Sequence, residues 1–303
     1  MKIMEDNKMR NRIAVIGRGA VGSAIFNDLN SKIDGVELYH SQNIEELLNN
    51  DNKEFELIIY AAVPGVKWKA NLDPDKDFKI VQNAFEQIKQ LKTKCMQFIL
   101  ISTIDALYLK SGAYGKNRKW LEDEVLRELS LSCAIVQLPA IKGSTVKKNI
   151  WFDLMNPYPD SLNQSMCDKL NQYAQKKLNS NEIIYEIDSQ NHLIYHRDLV
   201  DLNNHQLGLY NATHPYSKML WLDISNLGDV LLTEEFIRFG DKTLIASYYK
   251  NEPAVLSTYE LFEIIYNEKF IFNLNRLEYD KLLNYVDYSQ FANNATFVNN
   301  IKF

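Results

Sequence analysis

The sequence predicts an α/β fold, a doubly wound and mainly parallel sheet followed by a smaller C-terminal portion. Three observations carry that expectation. Short apolar runs alternate with helical patterns of roughly ten to fifteen residues through the first half of the chain. The first run, Ile13-Ala14-Val15-Ile16, ends in the glycine pattern Gly17-Arg18-Gly19-Ala20-Val21-Gly22. Beyond Pro139 the rhythm breaks into Asn-, Pro- and Tyr-rich connections such as Asn156-Pro157-Tyr158-Pro159. Strands alternating with helices make parallel βαβ units, because a parallel return needs a crossover that a helix can fill.

The elements follow in order. Ile13 to Ile16 reads as a strand, and the Ala/Ile/Phe/Leu-bearing stretch after Gly22 as a helix. Val36-Glu37-Leu38-Tyr39 is the second strand, and Asn43 to Asn50 a short helix opened by a Ser/Asn cap. Leu57 to Ala62 is nearly all apolar, as a strand buried on both faces must be. A helix over about Asp77 to Lys92, a strand Gln97 to Ser102, a helix over about Lys116 to Leu129 and a strand Ala134 to Leu138 complete the series. The expected division is residues 10–140 for the nucleotide-binding part. Residues 141–303 form mostly a substrate-binding portion, with some segments returning to the first sheet.

Composition narrows the partners. The 303 residues suffice for a large core, and 46% apolar with 24% charged residues is ordinary for a globular enzyme. A net charge of −5 offers nothing to a phosphate backbone, so no nucleic-acid partner is expected. The start Met1-Lys2-Ile3-Met4-Glu5-Asp6-Asn7-Lys8 lacks an apolar leader core, and no run of about 18 apolar residues spans a membrane. A cytoplasmic location with no membrane partner is the resulting expectation. Cys95, Cys133 and Cys167 are odd in number and far apart, which fits reduced thiols, with Cys133 as buried filler.

The glycine pattern is the Rossmann dinucleotide-binding fingerprint, and each glycine answers a separate steric demand. Gly17 lets the chain turn, Gly19 lets the backbone approach a pyrophosphate, and Gly22 lets the helix pack on the strand. The helix start at Ala20 and Val21 then presents N–H groups to phosphates. In an open parallel sheet ligands lie at the carboxyl ends of the strands. That rule adds Ser41 and Asn43 after the second strand, Ala61 and Ala62 after the third, Ser102 after the fourth and Pro139 after the fifth as cofactor contacts. The second strand ends in His40-Ser41-Gln42-Asn43, with neither an acid for the ribose hydroxyls of NAD nor a clear base for the 2′-phosphate of NADP. NAD or NADP is therefore expected, with a slight preference for NADP because no acid is there to repel its phosphate.

Ile101-Ser102-Thr103-Ile104-Asp105 ends a strand, and Ala113-Tyr114-Gly115-Lys116-Asn117-Arg118 opens the next helix. With the glycine motif, this resembles the extended short-chain dehydrogenase/reductase superfamily, the epimerases, dehydratases and reductases that mostly act on nucleotide-linked sugars. The resemblance implies a catalytic Thr103, or Ser102, with Tyr114 as general acid/base. Arg118 stands where the family has a lysine that binds the nicotinamide ribose and lowers the tyrosine's pKa. Arginine keeps the charge and can bond ribose hydroxyls, but it holds its proton. Val136-Gln137-Leu138-Pro139-Ala140-Ile141-Lys142-Gly143 looks like a later family segment, with Gln137 in place of the usual arginine. A Tyr-Gly-x-x-Arg helix together with Lys147-Lys148-Asn149 is similar to a bacterial branch described as sugar-nucleotide or surface-polysaccharide oxidoreductases. Ser217 to Ile224 and Asn251-Glu252-Pro253 look like its later landmarks. The implied partner is a small-molecule substrate, a nucleotide sugar, and the resemblance also implies a homodimer paired through helices.

A tyrosine acting as base near neutrality needs its pKa of about 10 lowered by about three units, roughly 4 kcal/mol of differential stabilisation. A cation one helical turn away, plus a positive nicotinamide ring, is the expected source. Asp105, Lys147 and Asn149 are the candidate substrate contacts, weighed against a loop cap for Asp105 and solvated loop positions for the other two. Dehydratases of the superfamily need an acid pair near the threonine, and Asp105 has no neighbouring glutamate. Trp68 is expected either over the cofactor cleft or in the core. His192 and His196 have the spacing of a helical metal pair, but no third ligand follows, so no metal is expected. The alternative to an enzyme is a catalytically inactive dinucleotide-binding sensor or assembly protein of the same fold.

Overall fold

Strand β1 (Ile13–Ile16) is buried along its whole length, and its alternate residues serve opposite sides. Ile13 and Val15 join one apolar cluster, Ala14 and Ile16 another. With a side-chain period of two, an all-apolar strand demands cover on both faces. Helix α1 (Ala20–Asn30) supplies Ile25 and Leu29 to the first cluster.

The computed structural model describes residues 12–108, 112–147, 149–155, 185–187, 193–195, 216–233, 235–266 and 285–303. The chain forms two compact units: residues 1–147, 219–255 and 288–302 in one, and residues 148–218, 256–287 and Phe303 in the other. In the first unit come β2 (Val36–Tyr39), α2 (Ile44–Leu48), β3 (Phe55–Tyr60), α3 (Lys67–Leu72), α4 (Pro74–Leu91), β4 (Cys95–Thr103), α5 (Gly112–Leu129), β5 (Cys133–Leu138) and β6 (Ala140–Lys142). Then follow, in chain order across both units, α6 (Ile150–Met155), β7 (Tyr185–Ile187), β8 (Leu193–Tyr195), β9 (Lys218–Asp223), α7 (Leu227–Leu232), β10 (Lys242–Tyr249), β11 (Glu252–Pro253), β12 (Val255–Ser257), α8 (Thr258–Tyr266) and β13 (Thr296–Asn300).

The main sheet runs β11-β10-β5-β4-β3-β1-β2, with β13 also paired to β10, and every pairing from β2 to β10 is parallel. This is the doubly wound Rossmann arrangement, and strand order reverses between β1 and β3. At such a switch point the two crossovers leave for opposite faces and open a crevice at the strands' carboxyl ends. Leu227, Val230 and Leu231 of α7 complete the α1 side, while Val81, Phe85, Ile88 and Leu91 of α4 and Leu121 and Val125 of α5 cover the other. Cys133 is fully buried there, its thiol pushed up to about 12 by burial.

β3 ends at Tyr60, short of Ala62, α4 starts at Pro74, β4 runs Cys95–Thr103, and helices α3 and α5 depart further from the sequence expectation. Helix α3 buries only Ala70, so it carries no apolar period to announce it. Trp68 lies on it well exposed, not in the core. Helix α5 begins at Gly112, a turn earlier than about Lys116, because Gly112 holds a φ of +76° and the Asn71 side chain accepts the Tyr114 N–H at 2.9 Å. Both devices come from outside the local pattern.

In the second unit Asn149 Oδ1 accepts the Phe152 N–H at 2.9 Å at the start of α6. Ser257 and Glu260 form a capping box on α8, Glu260 accepting the Ser257 N–H at 2.6 Å and Ser257 Oγ accepting the Glu260 N–H at 3.3 Å. His192, His196, Cys167 and Asn156 to Pro159 lie outside the described residues.

Candidate active site

The glycine turn shows what each glycine is for. A Cβ on Gly17, whose φ is +121°, would stand 2.6 Å from the Ala61 carbonyl oxygen. One on Gly22 would stand 2.0 Å from the Gly17 carbonyl oxygen. Neither backbone can yield, so Gly17 seats the turn against the end of β3 and Gly22 seats α1 against the turn. Gly19 is different, because a Cβ there would meet nothing within 4 Å. Its missing side chain clears open space in front of the N-terminus of α1, where Gly19 is the cap residue, no side chain caps the helix and the first turn holds no acid. Ala20, Val21 and Gly22 thus present a positive helix end to that space, a setting that fits a pyrophosphate.

At the end of β2, Asn43 is used by the turn itself. Its Oδ1 accepts the His40 N–H at 2.7 Å and its Nδ2 donates to the Leu38 carbonyl at 3.3 Å, while Ser41 is exposed. Ala61 ties β3 to β1 by donating its N–H to the Ile16 carbonyl at 2.7 Å, and Ala62 follows it. Pro139 is buried between β5 and β6. Lys147 is exposed beside buried Val146. Asn149 lies in the second unit, committed to α6 as above.

Neighbouring residues on a strand face opposite ways, and that divides Ser102 from Thr103. Ser102 donates its hydroxyl to Glu122 Oε1 at 2.6 Å, joining a buried network in which Gln137 bonds both Glu122 oxygens at 3.0 Å and Lys242 stands 3.0 Å from Glu122. Thr103 lies beside Tyr114 and favours the ionised phenol. The sequence left Thr103 and Ser102 open as partners of Tyr114. Ser102 is committed to Glu122, which leaves Thr103 as the residue beside Tyr114.

Arg118 is 3% exposed. Its guanidinium makes a two-pronged pair with Asp77 of α4, Nη1 to Oδ2 at 2.9 Å and Nη2 to Oδ1 at 3.0 Å, and Nη2 also donates to the Pro64 carbonyl at 2.7 Å. Its Cζ lies 4.5 Å from the centre of the Tyr114 ring. Arg118 pulls the phenol down, as expected of a cation there, but it does not set the balance. The fork is already engaged by the fold, and Tyr114 is held above its ordinary range. Burial dominates; Arg118 pulls the phenol down, Asp105 pushes it up, Thr103 pulls it down and Asp77 pushes it up. The arginine's pull is real but outweighed by desolvation, with Asp105 and then Asp77 acting against it.

Three further residues that the sequence did not single out meet here. Lys67 Nζ donates to Asp105 Oδ1 at 2.6 Å and to the Tyr288 hydroxyl at 3.0 Å, and Tyr288 donates to the same Asp105 oxygen at 2.6 Å. Tyr108 packs edge-on against Tyr288 at 5.2 Å. Asp105 also faces back, its Oδ2 3.5 Å from Thr103 Oγ1 and its N–H 3.3 Å from the same oxygen. The cap of this turn is Thr103, which accepts the Asp105 N–H, and the Asp105 carboxylate faces back toward it. Lys67 sits on the helix without a period, and Tyr288 is 183 positions from its partner, so neither had a local signal. Among the described residues no group of three or more metal-ligating side chains gathers, and no helix is long and apolar enough to cross a membrane.

No protein-family model and no curated protein sequence matches the chain. Solved structures do. An epimerase from Methanothermobacter thermautotrophicus superposes with a TM-score of 0.56 at 10% identity, covering 96% of this chain and 89% of its own. A UDP-glucose 4-epimerase from Thermotoga maritima, solved with UDP-glucose, gives 0.53 at 12%, covering 93% and 92%. A UDP-glucuronic acid 4-epimerase from Bacillus cereus, solved with UDP-glucuronic acid and NAD, gives 0.51 at 13%, covering 96% and 95%. At identities this low the likeness is one of fold, and the chain carries the Rossmann fold of these solved epimerases.

Proposed function

We propose that this protein is an NAD(P)-dependent oxidoreductase of the extended short-chain dehydrogenase/reductase type, a reductase or epimerase acting on a nucleotide-activated sugar or related polyol. The observation that carries this reading is the placement of Thr103, at the carboxyl end of β4, beside the buried Tyr114, in the sheet whose β1 ends in the Gly17-Gly19-Gly22 turn. A bound nicotinamide supplies the hydride. Tyr114 exchanges the accompanying proton with the substrate oxygen, and Thr103 fixes that oxygen at hydrogen-bond distance. A buried phenol held above its ordinary range is protonated at neutrality, which suits it to give a proton to a carbonyl as hydride arrives. Arg118 acts as a positioning residue, tying the Tyr114 ring to α4 through Asp77.

NADP suits the β2 turn slightly better than NAD, since His40, Ser41, Gln42 and Asn43 bring no carboxylate near a 2′-phosphate. The neighbours solved with UDP-glucose and UDP-glucuronic acid make those two compounds the first probes. Tyr114→Phe should abolish turnover of the active probe, by about 100-fold or more for a lost proton-transfer group, with cofactor affinity unchanged. Turnover that survives the substitution would remove Tyr114 from the chemistry. A second reading, a dinucleotide-binding sensor without turnover, is favoured by the engagement of Arg118 with Asp77. Cofactor binding without turnover across a panel of UDP-, dTDP- and GDP-sugars would select it.

A further inference from the structure

The Lys67–Asp105–Tyr288 cluster is more than a surface ion pair. Asp105 is 9% exposed, yet one of its oxygens receives two hydrogen bonds of 2.6 Å, from an ammonium and a phenol. The donors come from α3 and from the C-terminal segment before β13, elements far apart in sequence. The other oxygen faces Thr103, which lies beside Tyr114. The carboxylate therefore stands between a cation on one side and the Thr103–Tyr114 pair on the other.

We propose that Lys67 is a positioning residue for chemistry at Tyr114: by holding one oxygen of Asp105 together with Tyr288, it balances the carboxylate's charge and fixes the other oxygen toward Thr103. This rests on the proton-exchanging role given to Tyr114 above. When Tyr114 gives its proton to a substrate oxygen, a phenolate is left facing Asp105. Lys67 keeps that approach from being one between two bare negative charges. Tyr114 is faced by Arg118 from its own helix, Asp77 from α4, Thr103 from β4, Asp105 from the following turn and Tyr288 from the C-terminal segment. Lys67 stands one step further out, on Asp105, as a partly exposed cation, its side chain 36% accessible and in reach of water.

The charges make opposite predictions for the two partners. Lys67→Met leaves Asp105 unbalanced and makes the Tyr114 phenolate harder to form. Asp105→Asn leaves the Lys67 charge unbalanced and makes it easier. The measurement is a tyrosinate absorbance titration with no cofactor or substrate added, taken as each protein minus the same protein carrying Tyr114→Phe. Asp105→Asn should lower the Tyr114 midpoint by at least about half a pH unit, a roughly threefold change in ionisation constant. Lys67→Met should raise it or move it beyond the folded range, Lys67→Arg should leave it near wild type, and the Lys67→Met/Asp105→Asn double variant should return toward wild type. Shifts of the same sign in both single variants, or no shift in either, would overturn the proposal, since mere loosening of the site wets the phenol in both. The functional reading fails separately, if wild type binds neither NAD nor NADP.

Discussion

Replacing a lysine by an arginine looks conservative in sequence, yet at residue 118 it changes what the cation does. A planar fork can be saturated by one carboxylate, and Asp77 saturates it here from α4 with both oxygens. The pair is buried on both sides, with side chains 4% and 7% exposed, so breaking it leaves an uncompensated charge in the interior. Asp77→Asn, isosteric but neutral, should cost about 3 to 5 kcal/mol in urea unfolding. Lys119→Ala, which removes an exposed bridge to Asp123, should cost no more than about 0.5 kcal/mol. Equal losses in the two would mean that Arg118 is not held by Asp77. That Arg118 departs from the lysine pattern was legible from the sequence, but its partner was not. Asp77 lies 41 positions away on another helix.

Among the elements, those with a strong period were legible and those set by distant contacts were not. Strands β1 to β5 announce themselves because their apolar residues must fill both faces, and Val36 to Tyr39 matches β2 residue for residue. Helix α3 has one buried residue, and its reason for forming lies in what it positions, Lys67 and Asn71. The start of α5 depends on a positive φ at Gly112 and a carbonyl from Asn71, neither visible in the local pattern. The glycine turn is the opposite case. Gly17 and Gly22 were assigned a turning and a packing duty from spacing alone, and the close backbone approaches at both follow that division. Of the candidate site, the residues on the sheet's carboxyl edge were legible, while Tyr288 required the chain to return from far away.

For the whole molecule, several buried phenols link stability to alkaline pH. Burial holds Tyr60 and Tyr114 above the ordinary tyrosine range, and burial with the Asp105 carboxylate does the same for Tyr288. In the unfolded chain these groups titrate near pH 10. Below that pH both states keep their protons and the full contribution is present. Above it the unfolded state loses protons first, so stability falls with rising pH, by up to about 1.4 kcal/mol per pH unit for each such group. Urea midpoints should be level from pH 8 to about pH 9.5 and drop steeply by about pH 11; a flat profile would mean these phenols are wet. The claim that organises the molecule is that the crevice between β1 and β3 holds a nicotinamide dinucleotide at the space Gly19 leaves open. The most direct test is nicotinamide fluorescence titration of NADH and NADPH into wild type and Gly19→Val. We predict saturable binding by wild type, at micromolar cofactor, that the valine abolishes while the thermal midpoint stays unchanged. No saturable binding up to about 1 mM, or binding indifferent to Gly19→Val, would contradict it.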